Sequence, residues 1–183
     1  MPYEDALNRA WKTLNGLSAC EVHSVSFLSD MYEVNLKARG ILSNSCNAPA
    51  KDYVAILLLH YLIGTLKNGY LPSGEWISFK GIEGGATYYP AYRNSVVKPL
   101  LKKYGSRPKD ILSAIERFKA RQLDLGDASV EIETFPDVLI RIVLWGQDAE
   151  FGPEATILYD KDITRIYTME DITVFSQFIV HNL

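Results

Sequence analysis

Residues 138–145 give the plainest strand signal in the chain, with Ile140, Ile142 and Leu144 alternating against Arg141, Val143 and Trp145. The end of this strand delivers Trp145, Asp148, Glu150 and Phe151 into a loop closed by Gly152-Pro153. Residues 129–134 precede it across Phe135-Pro136-Asp137, which predicts a hairpin, and residues 155–159 predict a further strand. Another hairpin is predicted from the β-rich runs 20–28 and 31–38, separated by Ser29-Asp30. Residues 40–50 are polar and irregular, so no element is assigned there.

Helical spacing takes over elsewhere. Ala6, Leu7, Ala10, Trp11 and Leu14 predict an amphipathic helix over 3–14, stopped by Asn15-Gly16. Residues 50–66 are apolar almost all round and predict a central helix, with Pro49 suited to its first turn. Tyr92, Val96, Val97, Leu100 and Leu101 share a face over 88–104, where Pro99 predicts a kink. Ser106 and Pro108 open a helix expected to reach 119, striped by Ile111, Leu112, Ile115 and Phe118. Thr168-Met169-Glu170-Asp171 reads as a capping box opening a last helix to about His181. Strands that arrive in hairpins and helices that arrive in groups define the α+β class. The expected architecture is a single domain with a mostly antiparallel sheet of about five strands covered by helices.

Composition narrows the function classes. At 183 residues and 48% hydrophobic, the chain can bury one substantial core, and it shows neither a linker nor an internal repeat. Nineteen basic against 22 acidic residues leave a net charge of -3, without the continuous basic footprint that nucleic-acid binding needs. Cys20 and Cys46 lack the close spacing of a cysteine metal clamp. Met1-Pro2-Tyr3-Glu4-Asp5 is acidic where a secretory signal is basic, and residues 53–66 fall short of the roughly 20 apolar residues of a membrane span. A soluble cytoplasmic protein, with neither nucleic acid nor membrane as partner, is the expectation.

Four stretches resemble a prokaryotic family, the domain of unknown function 3786. They are Ile56-Leu57-Leu58-Leu59-His60-Tyr61-Leu62, then Gly74 to Phe79 with Gly84-Gly85, then Leu144-Trp145-Gly146-Gln147-Asp148-Ala149-Glu150-Phe151, and finally Ile157-Leu158-Tyr159-Asp160 with the capping box. Tyr159 stands where the family pattern has phenylalanine, and Gly152 where it has proline. The resemblance implies a setting of anaerobic cofactor metabolism, with a corrinoid or iron-sulfur protein as partner. Some members join the domain to a four-cysteine iron-sulfur module that this sequence lacks, which argues against direct electron transfer. No reaction comes with the family.

The residues offer three candidate sites. His60 lies in the most apolar helix with Tyr53, Leu57 and Gly64 on its face, so Gly64 leaves room for a flat ligand whose metal the imidazole would hold. The ligand implied is a tetrapyrrole, haem or corrinoid; the ordinary alternative is a core histidine hydrogen-bonded to backbone. Gly81-Ile82-Glu83-Gly84-Gly85 lacks the lysine and hydroxyl of a phosphate loop, but Trp76, Phe79, Tyr88, Tyr89 and Tyr92 flank it. Aromatics over a glycine floor formed by Gly84 and Gly85 would suit a planar cofactor, and equally describe ordinary core. Asp148 and Glu150, with Glu154 and Asp160 downstream, offer oxygen ligands or an acid/base pair, or simply a solvated turn.

These sites order the functional expectations. A cofactor- or partner-binding protein comes first, using His60, Trp76, Gly84, Gly85, Tyr88, Trp145, Asp148 and Glu150, with His60 as metal ligand. A metal-assisted enzyme built on Asp148 and Glu150 is the alternative. An interaction module without a small ligand is the third.

Overall fold

In the computed structural model, which describes residues 3–183, two antiparallel sheets share one hydrophobic core with the helices. The expected α+β class is what the chain adopts. Met1 and Pro2, on which part of the leader argument rested, lie outside the described residues.

The first hairpin, β1 (Val22–Phe27) and β2 (Asp30–Asn35), does not stand alone. Residues 40–50, read as irregular, add β3 (Gly40–Ser43) and β4 (Ala48–Pro49) in the order β1-β2-β3-β4. The Asp30 carboxylate organises this corner by accepting from the Ser43 hydroxyl and from the Ser45 N–H and hydroxyl. Pro49 therefore lies in a strand and not in a helical first turn; its missing N–H is tolerated because β4 is an edge.

The second sheet runs in the order β5-β9-β8-β7-β6: β5 (Trp76–Ser78), β6 (Ala120–Leu123), β7 (Ala128–Phe135), β8 (Val138–Trp145) and β9 (Glu154–Asp160). Of the five strands expected in one sheet, β7, β8 and β9 are here and β1 and β2 lie in the first sheet, while β5 and β6 are additions to that expectation. The predicted 129–145 hairpin turns at Pro136-Asp137, with Asp137 at φ 64, a conformation its short polar side chain tolerates. The helix expected over 106–119 is instead a 3₁₀ run (Pro108–Ser113), one α-turn, α5 (Ala114–Arg117), and then β6. The Ser113 hydroxyl closes back on the Asp110 carbonyl at 2.8 Å, tightening that turn.

Around the sheets pack α1 (Glu4–Leu17), α2 (Asp52–Asn68), α3 (Gly85–Tyr92) continuing into α4 (Lys98–Tyr104), and α6 (Met169–Asn182). Helix α2 is central, as its all-round apolarity required: Leu57, Leu58 and Leu59 are fully buried. Phe27 of β1 and Tyr61 of α2 stack on Phe135 of β7 at centroid distances of 4.3 and 4.2 Å, joining both sheets to the helical layer. Between α3 and α4 the backbone widens into a π-helical segment, Arg93–Val97. The expected disturbance at Pro99 thus falls on the turn before it. Pro99 cannot donate to the carbonyl of Ser95 and its ring crowds that group, so the preceding turn opens.

Candidate functional site

Helix α6 begins at a capping box, as read from the sequence: the Thr168 hydroxyl accepts from the Asp171 N–H while the Asp171 carboxylate accepts from the Thr168 N–H. The box has a third member. His60 Nδ1 lies 2.8 Å from Asp171 Oδ1, with the two side chains 29% and 10% exposed. An ionised carboxylate offers no proton, so Nδ1 donates. Burial pushes the Asp171 carboxyl up, but the hydrogen bond and charge of His60 together with the Thr168 donors outweigh it and hold the group below its ordinary value.

Fixed in this way, α6 presents two stripes. Ile172, Phe175, Ser176, Ile179 and Val180 enter the core. Met169, Thr173, Val174 and Gln177 face a cleft of about 660 Å³, whose opposite wall is Tyr88, Ala91, Tyr92 and Ser95. The lining is mainly apolar, and the volume is within the roughly 300–1,000 Å³ of small-molecule sites. Ser95 belongs to the π segment, so the widened turn forms part of the wall.

The base of the cleft is tied together by buried hydroxyls. Ser176 Oγ donates to the Ile172 carbonyl at 2.6 Å and lies 2.5 Å from Tyr159 Oη, which is 2.6 Å from Tyr92 Oη. Since Ser176 has spent its proton, the chain runs from Tyr92 through Tyr159 to Ser176. Burial drives the Tyr92 phenol up to about 12 and Tyr159 well above its ordinary value, so both remain neutral. A second cleft of about 510 Å³ shares Ser95, Val174 and Gln177 with the first and continues along α6 to Lys51, Tyr53 and His181.

The residues singled out from sequence are dispersed. Tyr88, exposed, lines the main cleft. Gly84 lies behind it: a Cβ there would approach the Met169 methyl at 3.8 Å. Gly85 presses on the Phe79 carbonyl, where a Cβ would fall at 1.9 Å, so this glycine serves close backbone packing and provides no open floor. Phe79 and Tyr92 stack at 3.9 Å as core. Trp76 lies under the Arg141 guanidinium at 3.7 Å, and Arg141 also bonds Glu131 at 2.8 Å. Trp145 lines a separate cleft of about 250 Å³ with Lys80, Tyr89 and Glu154.

His60 lines none of these clefts. The room expected beside Gly64 is filled, since a Cβ there would meet Ile166 Cα at 2.6 Å. Asp148 accepts from the N–H groups of Glu150 and Phe151 at 2.8 and 2.6 Å, bonds that hold its carboxyl below the ordinary value. Asp160 is spent likewise on Ser73, Gly74 and Asp162. Among the described residues no group of three or more His, Cys, Asp or Glu is placed to hold a metal ion.

Sequence reasoning missed Met169, Val174, Gln177 and Ser95. Its available signal was the second apolar stripe of α6, set beside the one that enters the core.

Compared with known families, residues 9–182 match the model of the domain of unknown function (DUF3786). The chain belongs to that family. No curated protein and no solved structure is significantly similar to it. Among the described residues of this family member, no helix is long and apolar enough to cross a membrane.

Proposed function

We propose that this protein binds a small organic cofactor in the cleft between α6 and the π segment, and holds it without transforming it. The observation that carries this reading is the apolar cleft of about 660 Å³ between Tyr88 and Val174. Besides the phenols of Tyr88 and Tyr92, its one ionisable side chain is Glu170. A tetrapyrrole or corrinoid, the class implied by the family's anaerobic setting, fits walls made of an exposed tyrosine, a thioether and a branched aliphatic. Such a macrocycle is held here by its faces. His60 serves the site from behind, by anchoring the first turn of α6, and its Nδ1 is already committed to Asp171.

The test is titration of the purified protein with haemin and with cobalamin, followed by absorbance. Saturable binding that Val174→Trp weakens at least about tenfold, about 1.4 kcal/mol, supports the cleft; binding indifferent to that substitution overturns it.

A protein partner is the second reading, favoured by the exposure of Trp145 at 40%, at the end of β8, and of Phe151 at 68%, in the loop that follows. A corrinoid or iron-sulfur protein is the partner implied by the family, and a Trp145→Ala, Phe151→Ala double variant that loses a co-purifying partner while keeping its absorbing ligand assigns the two surfaces separately.

A further inference from the structure

The main cleft is open at one end onto a patch of opposite character. Where the second cleft continues along α6, its lining changes from Val174 and Gln177 to Lys51, Tyr53 and His181. Lys51 precedes α2 and His181 closes the exposed side of α6, so two elements far apart in sequence bring their basic groups to one place. Neither side chain has an acidic partner among the described residues, whereas Lys119 and Lys161 are paired with glutamates. No carboxylate lines this second cleft. From Met169 to His181 the helix rises about 18 Å, at about 1.5 Å per residue. The combined groove is therefore long, mainly apolar towards Met169 apart from Glu170, and basic towards His181.

We infer that the ligand of this groove is a carboxylate-bearing amphiphile, its apolar body against Met169, Val174 and Tyr88 and its carboxylate between Lys51 and His181. The inference rests on the cleft reading above and adds to it the chemistry of the ligand's end. A carboxylate that leaves part of its hydration needs charge-assisted donors in its place, and Lys51 Nζ and the His181 ring supply them at the end of the groove that no carboxylate lines. The acidic group discriminates the ligand from a neutral molecule of equal size, because a neutral end forgoes the charge-assisted bonds to both basic groups. Two sources share this chemistry: the side-chain acids of a tetrapyrrole and the head of a linear acyl chain, either of which suits a groove of this length.

The experiment compares acids with their neutral counterparts at fixed ionic strength. Protoporphyrin IX is set against its dimethyl ester, and laurate against dodecanol, each titrated by calorimetry. At least one acid is expected to bind about tenfold or more tighter than its neutral counterpart, a difference that shrinks as salt is raised. The pair that shows it names the source. A Lys51→Gln, His181→Gln double variant removes the difference and leaves the neutral ligand's affinity unchanged, while Lys51→Arg, His181→Lys restores it. Equal binding of acid and neutral counterpart, an undiminished preference in the Gln variant, or no binding of either acid overturns the inference. Binding that Val174→Trp abolishes but the charge variants do not change leaves the cleft standing and removes only this step; binding that survives Val174→Trp removes the cleft itself.

Discussion

Both oxygens of Asp171 are committed, Oδ1 to the His60 ring 2.8 Å away and Oδ2 to the Thr168 N–H and hydroxyl at 3.0 and 2.8 Å. One carboxylate thereby closes the capping box of α6 and bonds that helix to α2. Asp171→Ala should destabilise the protein by about 1–3 kcal/mol, since it leaves the His60 donor and the Thr168 N–H and hydroxyl without their acceptor. His60→Ala and Asp171→Ala should be non-additive by roughly 0.5 kcal/mol or more in a double-mutant cycle read from urea unfolding. Additivity would mean that His60 and Asp171 do not interact in solution. His60→Gln, which retains a donor, should recover part of the loss.

Helix α2 admits a second measurement. Leu58 is fully buried, and Leu58→Ala should cost about 2–5 kcal/mol through lost burial and the remaining cavity. Gly64→Ala is the more selective probe, because an added Cβ would meet the Ile166 and Arg165 backbone, which cannot yield as a side-chain tip would. It should destabilise although alanine favours helices. A raised urea midpoint for Gly64→Ala would show that α2 and the segment before α6 are not in contact.

What was legible in the sequence was local. The capping box at Thr168, the alternation of Ile140, Ile142 and Leu144 and the apolarity of α2 each depend on neighbours within a few residues, and each appears in the fold as read. His60 and Asp171 are far apart in the chain, so nothing near either residue announces the other. Gly64 illustrates the same limit: its missing side chain signalled space, and the space is taken by Ile166, a residue no local pattern connects to it. The candidate cleft was half visible, in Tyr88. Its other wall is the second stripe of α6, which looks like ordinary amphipathic helix until the position of α3 is known.

Asp160 carries the pH dependence that can be given a sign. It is 1% exposed and accepts from the N–H groups of Ser73, Gly74 and Asp162 and from the Ser73 hydroxyl. Burial pushes its carboxyl up, and these donors outweigh burial and hold it below its ordinary value. A carboxyl depressed in the folded state contributes stability that is fully present above its unfolded value and lost as pH falls through the folded one. Asp160→Asn should therefore cost about 1–3 kcal/mol near neutrality and flatten the loss of stability below about pH 4, measured as urea midpoints against pH. An unchanged acid limb would remove Asp160 from the groups that govern it.

The acidic loop separates the binding reading from the metal-assisted alternative. Asp148 is engaged by the N–H groups of Glu150 and Phe151, and no further acidic, histidine or cysteine side chain among the described residues completes a metal-holding group around it. Asp148→Asn should loosen this turn, because the amide is a weaker acceptor for two backbone donors, and so raise the susceptibility of residues 146–152 to limited proteolysis. Glu150→Gln should leave the loop as it is. Neither change, nor both together, should alter the affinity for a ligand in the Tyr88–Val174 cleft, which these residues do not line. The measurement is a titration of the folded double variant with whichever macrocycle the native protein binds, alongside titration of both proteins with magnesium and manganese ions. A tenfold loss of macrocycle affinity would move the site to the end of β8. A divalent ion bound by the native protein and lost in the double variant would establish a metal site at Asp148 and Glu150, the premise of the metal-assisted reading.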